Sequence, residues 1–187
     1  MLTRKTDLPG VKILTGCKFG DERGFFSETY SRPRYAVAGI PEEFVQDNHS
    51  LSRDVGVVRG LHFQTGAHAQ AKLVRVSRGR IMDVVVDIRH GSPTFGRHLT
   101  VEISAEEGNQ IYIPVGFAHG LCTLLPDTEV LYKVSAPYAP EHEAGLAWDD
   151  PKLAIPWPIR PETAILSTKD RRQPRLQDLP PYFFYAP

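Results

Sequence analysis

The chain has 187 residues, with 22 Lys plus Arg against 22 Asp plus Glu, so it carries no formal net charge at pH 7. That balance argues against a nucleic-acid surface or an acidic tail, and it means that any anionic ligand has to be held by a local cluster of cations. No apolar run approaches the ~20 residues of a membrane span, and the N-terminal "MLTRKTDLPG" lacks the apolar centre of a signal peptide, so a soluble, cytoplasmic protein with no nucleic-acid and no membrane partner is expected.

The length suits one compact domain over residues 1–187, large enough to bury roughly 70% of the surface of its unfolded chain. Sixteen prolines and fifteen glycines are scattered throughout and leave little room for long helices. In chain order, "RPRYAVAGI" (Arg32 to Ile40) predicts a short helix, and "KLVRVSRGRIMDVVVDIR" predicts two strands, with Gly79 able to turn the run back on itself. The runs "HLTVEIS", "NQIYIPVG", "HGLCTLL" and "EVLYKVSAPY" read as further strands from their β-branched and aromatic content. Pro140 to Gly145 predicts a second short helix, and "WDDPKLAIPWPIRPE" is too rich in proline for central strands, so it is expected to wrap the barrel as irregular chain. Short strands at such spacing indicate an all-β sandwich or barrel. Cys17 and Cys122 are too few for a disulfide framework.

Alternate side chains on a strand point to opposite faces, so parity assigns neighbours. Tyr132 shares a face with Val130 and Val134, Lys72 with Val74 and Val76, and His62 with Gln64. Polar groups on apolar faces are costly unless paired, which makes Lys72, His62 and Tyr132 candidates for a lined cavity.

Two spaced motifs resemble the cupin superfamily. The first comprises Gly56, five residues, His62, then Gln64 where a second histidine belongs, Lys72 near the place of a glutamate, and Gly79. The second comprises Gly108, Pro114, Gly116 and His119, with Thr123 in place of an asparagine. The resemblance implies an all-β, cupin-type jelly-roll barrel with short peripheral helices and an irregular C-terminal segment. It aligns His62 and His119 with metal-ligand positions, yet two imidazoles, a neutral amide and a cationic ammonium are a poor ligand set, so no metal is expected there. The same groups suit proton transfer. Histidine has an unperturbed pKa of ~6.5, fit for a general base, and a phenol can donate a proton from the opposite wall. Lys72, Arg59 and His119 can stabilise an oxyanion growing on a carbonyl. Taken singly, each has a bland reading: His62 as a satisfied core histidine, Tyr132 as a barrel-filling aromatic, and Arg59 or Lys72 paired with Asp83 or Asp87.

Longer strings narrow the resemblance. "DERGFFSETY", "FVQDNHSLSRDVGVVRGLHFQ", "AKLVRV", "DVVVDIRHGSPTFG", "YIPVGFAHG", "LYK", "WDDP" and "LSTKD" occur in order, and this succession is similar to the dTDP-4-dehydrorhamnose 3,5-epimerase family. The resemblance implies a cofactor-free isomerase that inverts C3 and C5 of a dTDP-linked 4-keto-6-deoxyhexose, converting dTDP-4-dehydro-6-deoxy-D-glucose to dTDP-4-dehydro-L-rhamnose, and a homodimer with N-terminal strands exchanged or paired across it. It gives His62 the role of base, Tyr132 that of proton donor, Asp170 that of partner to the histidine, and Lys72 a place near the C4 oxygen. Arg23, Glu28, Gln46, Asn48, Arg59, His119, Glu143 and Lys169 match nucleotide or sugar contacts. Phe25 or Phe26 is placed to stack on thymine, equally readable as core or interface aromatics, and Tyr138 stands where an aromatic lies near the sugar. Ala71 departs from a glycine common in the family. The competing readings are a single-position epimerase, a ketoisomerase, a metal-dependent cupin enzyme and a non-catalytic sugar-binding barrel.

Overall fold

The computed structural model describes residues 1–186. The strands are β1 (Leu2–Lys5), β2 (Lys12–Thr15), β3 (Phe19–Asp21), β4 (Gly24–Phe26), β5 (Gln46–Ser52), β6 (Val58–Gln64), β7 (Lys72–Arg78) and β8 (Arg80–Asp87). They continue with β9 (Arg89–His90), β10 (His98–Ser104), β11 (Asn109–Ile113), β12 (Phe117–Thr123), β13 (Thr128–Val134), β14 (Glu143–Gly145) and β15 (Phe183–Phe184). The single α-helix among the described residues, α1 (Arg32–Val37), is where the sequence places one, and Tyr35 is its buried residue.

Two antiparallel sheets form the body. One has six strands in the order β1-β2-β11-β7-β13-β5, and the other has five in the order β10-β8-β12-β6-β14. From β5 to β14 the chain crosses repeatedly between the sheets, which is the jelly-roll wrap of a cupin barrel. The inward faces of both sheets build one core: Val74, Val76, Ile111 and Val130 from the six-stranded sheet meet Ile81, Val85, Ile103 and Phe117 from the five-stranded one. The alternation that predicted β7 and β13 therefore holds, because one face of each looks into the barrel.

The run Val84-Val85-Val86 does not alternate, since both faces of β8 are covered. Val85 faces the barrel interior. Val84 and Val86 pack with Leu61, Phe63 and Ala118 under a C-terminal cover of Leu153, Trp157, Leu176, Leu179 and Phe183. The proline-rich segment thus wraps the sheet as irregular chain, and the aromatic tail shares in that cover. On the other side, α1 lays Tyr35 on Leu14, Leu73 and Tyr112.

Two local expectations are corrected. Gly79 does not turn a hairpin: β7 and β8 belong to different sheets, and Gly79, at φ +82°, carries the chain around the corner between them. A side chain there would collide with Thr128 Oγ1. The short helix expected near Pro140–Gly145 is present as a 3-10 turn, Pro140–His142, but fills only half the stretch, and β14 follows directly. Its strand half forms because Glu143 and Gly145 find partners in Gln64 and His62 of β6.

Candidate active site

A cavity of about 330 Å³ opens between the two sheets. Arg59 and His62 on β6, His119 and Leu121 on β12, and Glu143 on β14 line one wall. Ser50 on β5, Lys72 on β7, and Val130 and Tyr132 on β13 line the facing wall. The loop carrying Ser167, Lys169 and Asp170 completes the lining. All four catalytic candidates, His62, Tyr132, Asp170 and Lys72, therefore converge on one cavity, together with Arg59, His119, Glu143 and Lys169.

Strict alternation would put Arg59 and His62 on opposite faces. The pairing of β6 with β12 shifts register between His119↔His62 and Leu121↔Arg59, so three steps on β6 match two on β12. This bulge turns Arg59 into the cavity beside His62. It depends on Gly60, whose φ is +118° and where a Cβ would lie 2.6 Å from the His119 carbonyl oxygen and 2.7 Å from Gly120 Cα. Arg59 is then held by donating from Nε to Ser52 Oγ at 3.1 Å and from its Nη2 to the Leu51 carbonyl at 3.2 Å.

His62 Nε2 lies 2.5 Å from Asp170 Oδ1. Burial by itself raises the Asp170 carboxyl, but the hydrogen bond and charge of His62, with the Ser167 hydroxyl and the Gly60 backbone N–H, outweigh it and hold the group below the usual carboxylate value. An ionised carboxylate only accepts, so Nε2 carries the hydrogen and donates it. With Nε2 as the donor, it is Nδ1 of the neutral imidazole that would carry the lone pair a general base needs. Asp170 side-chain exposure is 5% against 27% for His62, so the carboxylate sits behind a base that stays accessible.

Burial lowers the Lys72 ammonium to about 8, against the pull of the Asp83 and Glu143 carboxylates. At pH 7 it remains mostly protonated, a poorly solvated cation able to meet a developing oxyanion. Its Nζ also reaches the His62 carbonyl at 3.4 Å. Beside it, His119 Nε2 stands 2.8 Å from Asp83 Oδ2, and Asp83 Oδ1 is buried without a hydrogen-bond partner among the described residues. Asp83 was readable from sequence only as a neutraliser of Arg59 or Lys72; its bonded partner is His119. Asp87 instead accepts from Arg89, Ser92 and Thr94.

Burial raises the Tyr132 phenol, with Arg59 opposing and Glu143 assisting, so it stays protonated at neutral pH and faces the cavity from the sheet opposite His62. At the rim, Lys169 Nζ donates to Glu143 Oε1 at 2.5 Å, and Tyr138 Oη donates to Glu143 Oε2 at 3.0 Å. Burial pushes the Glu143 carboxyl up, and Lys169 and Tyr138 bring it net down. The Tyr138 amide donates to Gln46 Oε1 at 2.9 Å, and Gln46 Nε2 donates to Asn48 Oδ1 at 2.8 Å. Gln46, Asn48 and Tyr138 thus sit outside the lining but are bonded in series to Glu143, which lies in it.

Arg23, Phe26 and Glu28 do not join this cavity. Arg23 and Phe26 belong to the β3–β4 hairpin and its turn, where Arg23 pairs with Asp21 at 2.5 Å and Phe26 is 71% exposed. Glu28 pairs with Arg34 at 3.1 Å. A β-hairpin paired only with itself has no sheet to draw it toward the barrel interior. Ser50 and Leu121 carry no sign of lining in the sequence, because only the packing of two sheets makes small or apolar residues into walls, and Ser167 joins them on the loop that brings in Asp170.

A cupin metal does not fit this arrangement. Gln64, at the second-histidine position, spends its amide on the His68 and Pro137 carbonyls and the Ala139 N–H rather than on the cavity. The ammonium of Lys72 takes the neighbouring place, where it repels a divalent ion.

Against this geometry, the sequence model of the dTDP-4-dehydrorhamnose 3,5-epimerase family matches residues 5–178. A dTDP-4-dehydrorhamnose 3,5-epimerase of Sinorhizobium fredii is 48% identical over 186 residues, covering 100% of this chain and 95% of the relative. The crystal structure of a 3,5-epimerase from Legionella pneumophila, in complex with dTDP-4-keto-L-rhamnose, superposes with a TM-score of 0.94 at 42% identity, covering 100% of this chain and 99% of that one. A dTDP-4-dehydrorhamnose 3,5-epimerase from Bacillus anthracis, with TDP and pyrophosphate bound, gives 0.90 at 45% identity, covering 93% and 98%.

Proposed function

The chain belongs to the dTDP-4-dehydrorhamnose 3,5-epimerase family, and on that premise we propose how its residues divide the work of inverting C3 and C5 of dTDP-4-dehydro-6-deoxy-D-glucose to give dTDP-4-dehydro-L-rhamnose. The observation that carries the assignment is the His62–Asp170 contact at 2.5 Å on one wall of the cavity, with Lys72 and Tyr132 on the other. The C4 ketone acidifies the hydrogens on both neighbouring carbons. His62 Nδ1 takes a proton from C3 or C5, Asp170 stabilises the imidazolium that forms, and the electron pair moves onto the C4 oxygen as an enolate. Lys72, with His119 held by Asp83, stabilises that oxyanion. Tyr132 returns a proton to the same carbon from the opposite face as the enolate collapses to the ketone; the tyrosinate is then reprotonated from solvent and the His62 imidazolium gives its proton to solvent, which resets both groups for the second carbon. The cycle is redox neutral and requires no cofactor.

Arg59 and Lys169 are the cations at hand for the diphosphate, and Gln46, Asn48, Tyr138 and Glu143 border the sugar side. Remote nucleotide binding supplies energy that aligns the ring for two successive proton transfers. Residues 1–187 work as one domain in this reading, since the C-terminal segment supplies Asp170 as well as the cover of the five-stranded sheet.

The same reading has the protein act as a homodimer. The β3–β4 region presents Phe19, Phe25 and Phe26 at 65%, 66% and 71% exposure, beside Arg23 and Glu28, and this is the part suited to reach a neighbour's cavity. It also places the protein in the cytoplasm, in keeping with two free cysteines. The deciding experiment is incubation of the substrate in heavy water with NMR readout. Deuterium at both C3 and C5 is expected, and incorporation at one carbon alone excludes double inversion.

A further inference from the structure

A second group of ligating side chains lies outside the catalytic cavity and plays no part in the chemistry above. His68 ends the 3-10 turn Gly66–His68 between β6 and β7, while Glu141 and His142 belong to the 3-10 turn that precedes β14. One ligand atom from each, two imidazole nitrogens and a carboxylate oxygen, lie within 4.8 Å of one another. The two imidazoles are stacked, with centroids 4.4 Å apart and planes inclined by 27°. Among the described residues, no side-chain hydrogen bond or ion pair occupies the ligating atoms of these three residues, so they are free to turn toward a common centre.

We propose that His68, Glu141 and His142 form a binding site for a borderline divalent transition ion of the Zn(II) class. Two imidazoles and a carboxylate are the donor types such an ion takes, with water in a fourth place. Around a tetrahedral ion at ~2.0–2.1 Å, ligand atoms stand roughly 3.3 Å apart. Side-chain rotation alone closes the present spread, because the backbones on both sides are already anchored. The His68 carbonyl accepts from Gln64 Nε2 at 2.7 Å, and the His142 carbonyl accepts from the Thr65 amide at 2.9 Å. A bound ion would therefore join the β6–β7 loop to the turn that leads into Glu143, a cavity residue. The ion plays no part in proton transfer; it clamps two loops beside the site.

The test uses tag-free, full-length protein stripped with EDTA and then titrated with Zn(II) by calorimetry and with Co(II) by visible absorption. One ion per chain is expected, with an affinity in the micromolar range and the intense visible bands of four-coordinate cobalt. Binding should weaken at acid pH, because protons compete with the ion for the ligand atoms. A Tm rise on the order of 5 °C should accompany zinc about a hundredfold above its Kd. His68→Gln and His142→Gln should each weaken binding at least tenfold, and Glu141→Gln several-fold, while epimerase activity in chelator stays at the wild-type level. Should H142Q fold poorly, H68Q on the other loop makes the same test. Wild-type protein that takes up no stoichiometric ion at about 100 µM, or glutamine variants that bind as tightly as wild type, would overturn the assignment.

Discussion

Replacing Asp170 by Asn keeps the shape of the side chain and removes the charge behind the proposed base. In the wild type the carboxylate meets His62 Nε2 at 2.5 Å and is itself 5% exposed, while His62 is 27% exposed. A hydrogen bond to a charged group is worth about 1.5–3 kcal/mol, and that interaction gains in importance as the imidazole becomes imidazolium in the transition state. Partial exposure of His62 screens part of it, so the lower two-thirds of that range applies, about 1.5–2.5 kcal/mol, which is a fall of about 10- to 70-fold in kcat. If the Asn nitrogen rather than its oxygen faces Nε2, the tautomer reverses and the fall is larger. KM should stay within about threefold, because Asp170 acts through His62 rather than on the nucleotide. The assay is the rate of deuterium uptake at C3 and C5, followed by NMR under saturating substrate, alongside a thermal melt. A folded D170N protein that exchanges both carbons within threefold of the wild-type rate refutes the dyad. The same variant tests the linkage. Because the folded Asp170 carboxyl lies below its ordinary value of 3.8, its stabilising contribution is present above that value and is lost as pH falls through the folded pKa. D170N should therefore lose less Tm than wild type when the pH is lowered below about 4.

Tyr132→Phe keeps the ring against the barrel core and deletes the donor, so isotope exchange on the His62 side should persist while inverted product falls by about 100-fold or more, read by NMR of the sugar. Lys72→Met should lower kcat/KM on the order of a hundredfold, and the alkaline limb of the wild-type kcat/KM profile should lie near pH 8, where the ammonium is lost. The same variant should be more stable than wild type at pH 7. With the folded value at about 8 against 10.5, the unfolded chain binds more protons in between, so wild-type stability rises across that window by about 3 kcal/mol at most, and the methionine variant shows no such rise in a pH series of melts. Gly60→Ala has to place a Cβ 2.6 Å from the His119 carbonyl oxygen at φ +118°, and should cost about 2–4 kcal/mol, a Tm loss on the order of 10 °C by calorimetry.

Residue identity and order carried the chemistry. A histidine, a lysine and a tyrosine on apolar strand faces suit proton transfer by residue type, and the acid in "LSTKD" enters through the family resemblance. Gln64 and Lys72 count against a metal by residue type alone, since ligand softness and charge are local properties. Strand existence was legible for β7, β8, β10, β11, β12 and β13, whose one-sided or two-sided burial writes itself as alternation or as an apolar run. It was not legible for β5, "QDNHSLS", where polar side chains occupy both faces of an edge strand, and so the pattern that marks burial is absent. Other features depended on residues distant in sequence. Gly79 reads as a hairpin turn until the partners of β7 and β8 are known to lie in different sheets. Arg59 is chosen from sequence as a cation for the site, but what places it there beside His62, against strict alternation, is the register shift against β12. Asp83 is a generic counter-charge until His119 arrives 2.8 Å away, and that Arg23 and Glu28 lie outside this chain's own cavity follows only from the self-paired hairpin and the Arg34 ion pair that hold them there. Side-chain type sets what a group can do and is local. Which face it presents and whom it meets are set by pairing register and sheet packing, which are decided between strands and not within them.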